Sequence, residues 1–360
     1  MVSVLALIAA GCGDDDDGAS GNGGGDEPGV VEHAAGSTAD VYIPQYRAPE
    51  LFGELFNIST DDHLTAFEEG ALAAQVAVSG QADVASGGFT PVVQVNEQGV
   101  PAKAFCPVQK DSTEHLVGRT ETITELDDIT NPDVRVAVES AGGFLNLLMN
   151  LVFEARDLGI TTDDLTNTVI LEDGSLRLAA LASGDVDVGS LDLFEQAELR
   201  AELGDDAVTV LSTVAEDVEY LANVIWAPTE WLEENQDLAA RFCATILYSN
   251  RVMTSDFDQY YDALQQYIEG GIDEEVARAN WDFAREHEIF PLNADVLSEE
   301  NIDTLFDISI ETGIFEESSA DFSYEDVVDV EVLELAQQYV GGDATLEEVV
   351  AGDIPEPDCC

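Results

Sequence analysis

Positive charge is what this chain lacks most. Its 360 residues carry 12 Lys and Arg against 75 Asp and Glu, a formal net charge of −63. A surface of that sign repels nucleic acid and anionic lipid, so neither is an expected partner. The acids run along the whole chain rather than forming one tail. That pattern reads as adaptation to high salt, because a Debye length of roughly 3 Å at 1 M relieves the self-repulsion. Histidine is also scarce. His33, His63, His115 and His287 fall in no recognisable motif, and "DDH" at 61–63 is too common a cluster to signal metal. The five cysteines include no CxxC pair, so a structural zinc site is not expected. Cys106 and Cys243 stand alone in apolar surroundings, either as small core residues or as an exported protein's disulfide, and the sequence leaves that open. Tandem repeats are missing, which disfavours a structural or scaffold protein.

The N-terminus "MVSVLALIAAGCG" is apolar but too short for the about 20 residues that span a bilayer. It reads as the apolar core of a secretion signal, residues 1–12. Its "AAGC" ending resembles the lipobox of bacterial and archaeal lipoproteins, which implies lipidation at Cys12. No basic residue precedes the apolar run, and Ala9 stands where Leu is usual. Residues 13–38, beginning "GDDDDGASGNGGGDEPG", have almost no apolar content and read as a flexible acidic, Gly-rich tether. Signal, Cys and leash in that order predict a protein held by lipid at the outer face of the cell membrane.

The remainder has 45% hydrophobic residues and enough length for two lobes. One formula occurs twice, as "SGQADVAS" at 79–86 and "SGDVDVGS" at 183–190. Each copy follows a helix-patterned segment, "FEEGALAAQVAVSG" with Phe67, Ala71, Leu72 and Val76 at helical spacing, and "SLRLAALASG". The Gly in each copy suits the position after a helix C-terminus, and "ADVAS" and "DVDVGS" read as short strands. "ADVYIPQY" (39–46) alternates like a strand up to Pro44, "RVAVES" and "YLANVIWAP" read as further strands, and a long apolar stripe follows "AGG" at 141–143. Strands alternating with helices predict an α/β architecture. The shared Asp83 and Asp187 sit just after tight turns, where fixing the turn is their expected role rather than paired catalysis. In open α/β sheets ligands collect beyond the carboxyl ends of strands. That placement makes Ser86, Gly87, Gly88 and Phe89 candidates on one lobe and Ser190 and Asp192 on the other. Ser140, Gly142, Gly143 and Phe144 open a helix whose N-terminus favours an anion or a carbonyl.

In order along the chain, "YIPQYRAPELFGELFN", "GALAAQVAVSGQADVASGGFTP", "RVAVESAGGFLNLLMNLVFEARDLG", "LRLAALASGDVDVGSLDLFEQAEL" and "ANVIWAPTEWLEENQDLAARFCATIL" resemble segments of ABC-transporter substrate-binding proteins of the sulfonate/nitrate/thiamine-precursor type. The resemblance spans about 39–320. It implies the two-lobed α/β fold of type II periplasmic-binding proteins, with a ligand cleft between the lobes. Lobe 1 would be 39–133 plus 222–320, lobe 2 134–221, and 321–360 an acidic C-terminal appendage. It adds Tyr42, Gln45 and Arg47 to the ligand-binding candidates, Arg47 being equally placed to pair with a neighbouring carboxylate. The implied role is a monomeric carrier, not an enzyme, that needs no cofactor or metal. It would hand a small molecule to an ABC permease and its ATPase and touch the membrane only through its lipid. A sulfonate, a nitrate-like ion or another small organic anion is the first ligand class. A neutral heteroaromatic such as a pyrimidine precursor is the alternative. An enzyme of the pyrimidine-precursor synthase kind on the same fold is the rival reading.

Overall fold

Short runs of small and β-branched residues make the strands, since such side chains pack well when both faces of a sheet are covered. The computed structural model describes residues 27–36, 42–67, 70–139, 143–218, 223–268, 270–311 and 315–359. Its strands in chain order are β1 (His33–Ala35), β2 (Leu64–Ala66), β3 (Val84–Gly87), β4 (Ala102–Gln109), β5 (His115–Arg119), β6 (Val136–Val138), β7 (Thr168–Ile170), β8 (Val188–Leu191), β9 (Val208–Thr213) and β10 (Asn223–Pro228). The helices of the first half are α1 (Ile43–Tyr46), α2 (Ala48–Phe52), α3 (Gly70–Val78), α4 (Thr90–Glu97), α5 (Phe144–Ala155), α6 (Gly174–Ser183), α7 (Leu193–Leu203) and α8 (Val214–Asp217). A helical second half follows with α9 (Thr229–Ser255), α10 (Phe257–Tyr267), α11 (Glu274–Glu286), α12 (Glu299–Glu311), α13 (Tyr324–Val327), α14 (Val330–Tyr339) and α15 (Leu346–Val350).

The strands form two five-stranded sheets, ordered β2-β1-β3-β10-β4 and β7-β6-β8-β5-β9. The two share one plan. Three parallel strands lie at one side, and an antiparallel strand joins them to the last. The chain crosses from the first sheet to the second after β4 and returns after α8. The crossings lie side by side, for Val214 N–H donates to the Glu114 carbonyl at 3.1 Å. This is a mixed α/β, two-lobed fold.

The repeated formula has a structural meaning. Asp83 N–H donates to the Glu32 carbonyl at 2.8 Å, and its carboxylate accepts the Glu32 N–H at 2.8 Å. Asp187 does the same with Arg135, at 2.7 and 2.8 Å, and also receives the Arg135 guanidinium at 2.8–2.9 Å. Each Asp therefore clamps the start of the neighbouring parallel strand, β1 or β6, rather than its own turn. The turns themselves rest on Gly80 and Gly184, at φ +70° and +76°, a conformation that strains other residues.

Four expectations change. β1 falls inside the stretch expected to be tether, because His-Ala-Ala is buried between β2 and β3. Residues 43–46 are helical rather than extended, since Pro44 sits at the start of α1, where its fixed φ suits a helix. The first lobe does not run to 133, for β5 pairs with β8 and β9 of the second sheet. And 321–360 is no appendage. Val327, Val328, Val332, Ala336, Val340 and Val349 are buried, and α14 packs along α9. The acids of that segment alternate with an apolar face, so composition hid an amphipathic helix.

Arg251 fastens this C-terminal segment. Fully buried in α9, it donates to the carbonyls of Leu292, Val340 and Gly342 and to Asn293 Oδ1, at 2.6–3.0 Å. Burial lowers its pKa to about 10. Cys106 of β4 and Cys243 of α9 are joined in a buried disulfide, Cα atoms 5.3 Å apart. The open question from the sequence is thereby answered.

Candidate functional site

A cleft of about 1370 Å³ opens between the two sheets. Its first-sheet side carries Gly36, Gly87 and Gly88 at strand ends, α3, and the start of α4 at Thr90. Tyr42 lines it as well. Asn223 Nδ2 donates to the Tyr42 hydroxyl and to Gln109 Oε1, both at 3.0 Å, and burial holds the Tyr42 pKa well above the usual phenol value. The second-sheet side carries Gly143, Asp173, Gly174, Arg177 and Asp192 from the starts of α5, α6 and α7.

The candidates from sequence divide clearly. Tyr42, Gly87, Gly88, Gly143 and Asp192 meet at the cleft. Ser86 does not line it, because its hydroxyl sits 2.8 Å from His33 Nε2 in the core. Phe89 is wholly buried against Phe306, ring centroids 6.5 Å apart. Gln45 is wholly buried too. Arg47 lies away from the cleft, paired with Glu50 at 2.6 Å and Asp62 at 2.8 Å beside the Tyr267 ring. Ser190 stands just behind the cleft wall and donates to Glu114 Oε2 at 2.6 Å. Ser140, Gly142 and Cys12 lie outside the described residues, as does the side chain of Phe144.

Asp192 apart, sequence reasoning missed the residues that set the cleft's charge. Glu114, Glu139, Asp192 and Glu195 stand on the second-sheet wall, with Glu172, Asp173, Glu198 and Asp273 also lining the space. Arg177 is the one cation among the described lining residues. It is nearly buried, and its Nε and Nη1 donate to the carbonyls of Ser190, Leu171 and Glu172 at 2.9–3.2 Å. Burial raises the pKa of Glu114, against the pull of Arg177 and the Ser190 hydroxyl, and that of Glu139. Burial, then the charges of Asp192 and Glu114, lift Glu195 to about 9.

Each helix that starts on this wall is capped by a carboxylate of the chain itself. Glu139 Oε2 accepts the Leu145 N–H of α5 at 2.9 Å, Asp173 accepts the Leu176 N–H of α6 at 3.2 Å, and Asp192 accepts the Glu195 N–H of α7 at 2.8 Å. A helix N-terminus attracts an anion through its unpaired N–H groups and partial positive charge. Here a carboxylate of the chain already takes one of those N–H groups at each of the three helix starts, the α5 start expected to seat an anion included.

Reactive groups are few. No His, Lys or Cys is among the described residues lining the cleft. His33 is buried beside Ser86, and His115 Nδ1–H donates to the Thr113 carbonyl at 3.1 Å. Burial lowers the two imidazoles to about 3 and about 4. No group of three or more His, Cys, Asp or Glu among the described residues has the arrangement of a metal site.

Comparison with known proteins fits this architecture. The model of the family described as "NMT1/THI5 like" matches residues 63–259, which is 197 of the 360. No curated protein matches the chain. The periplasmic nitrate-binding protein NrtA from Synechocystis PCC 6803 is similar in structure at TM-score 0.64 and 11% identity, over 92% of each chain. The periplasmic aliphatic sulphonate binding protein SsuA from Escherichia coli reaches 0.59 at 18% identity, over 81% of this chain and 92% of its own. The ligand-binding component of an ABC-type import system from Staphylococcus aureus, solved with zinc bound, reaches 0.63 at 14% identity, over 86% and 99%.

Proposed function

Because the chain belongs to the NMT1/THI5-like family, we propose that it is the solute-binding component of an ABC importer, working outside the cytoplasm. The observation that carries this reading is the large cleft between two sheets joined by two adjacent crossings, the arrangement in which lobes close on a ligand by hinge motion. A buried disulfide suits an oxidising compartment. The synthase reading expects His, Lys and Cys groups at the site, and the described lining offers carboxylates, amides, hydroxyls and one arginine instead. We therefore read the protein as a carrier and not an enzyme. A monomer is the expected unit, with the permease and its ATPase as partners.

Of the two supports for an anionic ligand, Ser140 lies outside the described residues, and the α5 terminus already holds Glu139 on the Leu145 N–H. The membrane link would run through Cys12 and the tether. Replacing Cys12→Ser should release the protein into the medium and abolish incorporation of labelled fatty acid, both visible on a gel of membrane and supernatant fractions.

The carrier role is tested by a thermal-shift screen of the full chain in near-molar salt against sulfonates, nitrate, amino acids, amines and pyrimidines. A bound ligand raises the midpoint by mass action, about 2.7 kcal/mol at a hundred times Kd. Turnover of a pyrimidine precursor with no shift from any solute would overturn the reading.

A further inference from the structure

We propose that the second-sheet wall of the cleft receives a cationic group of the ligand, an organic ammonium or amidinium with at least two N–H donors, on the carboxylates of Glu114, Glu139, Asp192 and Glu195. This deepens the reading of the cleft as the ligand site and rests on it.

The sign of the charge is the first reason. Four carboxylates surround one guanidinium, and the Nε and Nη1 donors of Arg177 are turned to backbone carbonyls rather than to those acids. The acidity of the chain as a whole does not account for this wall. Salt-adapted surface acids stay hydrated, whereas burial disfavours the charged forms of Glu114, Glu139 and Glu195. Desolvated carboxylates are costly unless a partner of opposite charge bonds them, and charge-assisted hydrogen bonds are the strong ones.

Geometry narrows the partner. The starts of α5, α6 and α7 each hold a carboxylate of the chain on one N–H, which disfavours a second anion at those termini. The carboxylates do not converge as a metal chelate. Spread around a space rather than a point, they suit a group that projects several N–H bonds in different directions. Leu145, Leu178, Phe194 and Ile272 line the same cleft and would cover an apolar body attached to that group.

Isothermal titration of the full chain tests this in about 1 M KCl, where a Debye length of about 3 Å screens the diffuse attraction of the anionic surface and leaves contact binding. The probes are agmatine and putrescine, methanesulfonate and nitrate, and neutral 4-amino-2-methylpyrimidine. The expected result is saturable binding of a cationic probe, no binding of the anions, and a loss of at least about 10-fold in affinity, or about 1.4 kcal/mol, in Glu114→Gln and in Glu139→Gln. Two substitutions on separate elements guard against one that merely unfolds the protein, and each melting curve is recorded without probe. Binding of an anion or of the pyrimidine alone overturns the cation proposal and leaves the carrier role standing. Binding of no probe, together with turnover of a precursor, overturns both. Cation binding unchanged in both variants places the cation elsewhere and overturns the proposal as well.

Discussion

Glu195 shows how one side chain can serve the fold and burden it. Its carboxylate accepts the Asp192 N–H in a capping box at the start of α7, yet burial and two neighbouring acids hold its pKa at about 9. A carboxyl raised in the folded state contributes stability that is complete below its unfolded pKa and is lost as pH rises toward 9. Glu195→Gln keeps an acceptor for the cap and removes the titration. The variant should melt with the native chain near pH 4 and above it at pH 8, by about 2 °C or more, in scanning calorimetry. The imidazoles of His33 and His115 act with the opposite sign. Lowered to about 3 and about 4, they favour the fold above their unfolded pKa and withdraw that support as pH falls below about 6.5. Acid unfolding should therefore begin near pH 6, and His33→Gln should flatten the slope of midpoint against pH between 6 and 4.

At the level of elements, the two aspartate clamps differ in depth. Asp187 is buried and holds both the backbone and the guanidinium of Arg135, whereas Asp83 is partly exposed and holds only a backbone N–H. Asp187→Ala should cost about 2–4 kcal/mol in chemical denaturation and Asp83→Ala about 0.5–1.5 kcal/mol. Equal costs would mean that the Arg135 pair adds nothing. Helix, glycine turn and strand were legible around both clamps because glycine and apolar spacing mark them. β1 was not, since a three-residue His-Ala-Ala run carries no alternation to read. The face of α3 was misread because Ala73, Ala74 and Ala77 are buried while Leu72 is 43% exposed, the small residues letting the helix lie close to β1 and β3. In the cleft, Gly87, Gly143 and Asp192 could be found from their places at strand ends and helix starts. Glu114, Glu139 and Glu195 could not, because one glutamate among 75 acids carries no signal. Arg177 offered one, as a rare cation inside an apolar helical stretch.

For the whole molecule, the disulfide sets how far the halves of the first lobe can separate when unfolded. It closes a loop across 137 residues that contains the entire second sheet. Reduction, or Cys243→Ser, should lower unfolding free energy by about 2–5 kcal/mol while leaving ligand affinity within about twofold, as read by denaturant titration and calorimetry. Salt acts on the same scale. With a net charge of −63, the midpoint should climb steadily as KCl rises from 0.1 to about 1 M, the range over which the Debye length shrinks from about 10 to about 3 Å.

The clasp at Arg251 bears on how the chain is made. The Val340 and Gly342 carbonyls that complete its shell lie 89 and 91 residues further along. Synthesis delivers a chain from its beginning, so α9 is made before those two carbonyls and the shell around its guanidinium is completed only when nearly the last segment arrives. A product cut short before residue 340 keeps a desolvated arginine without those partners, a defect that quality-control proteases can sense as a loose α9.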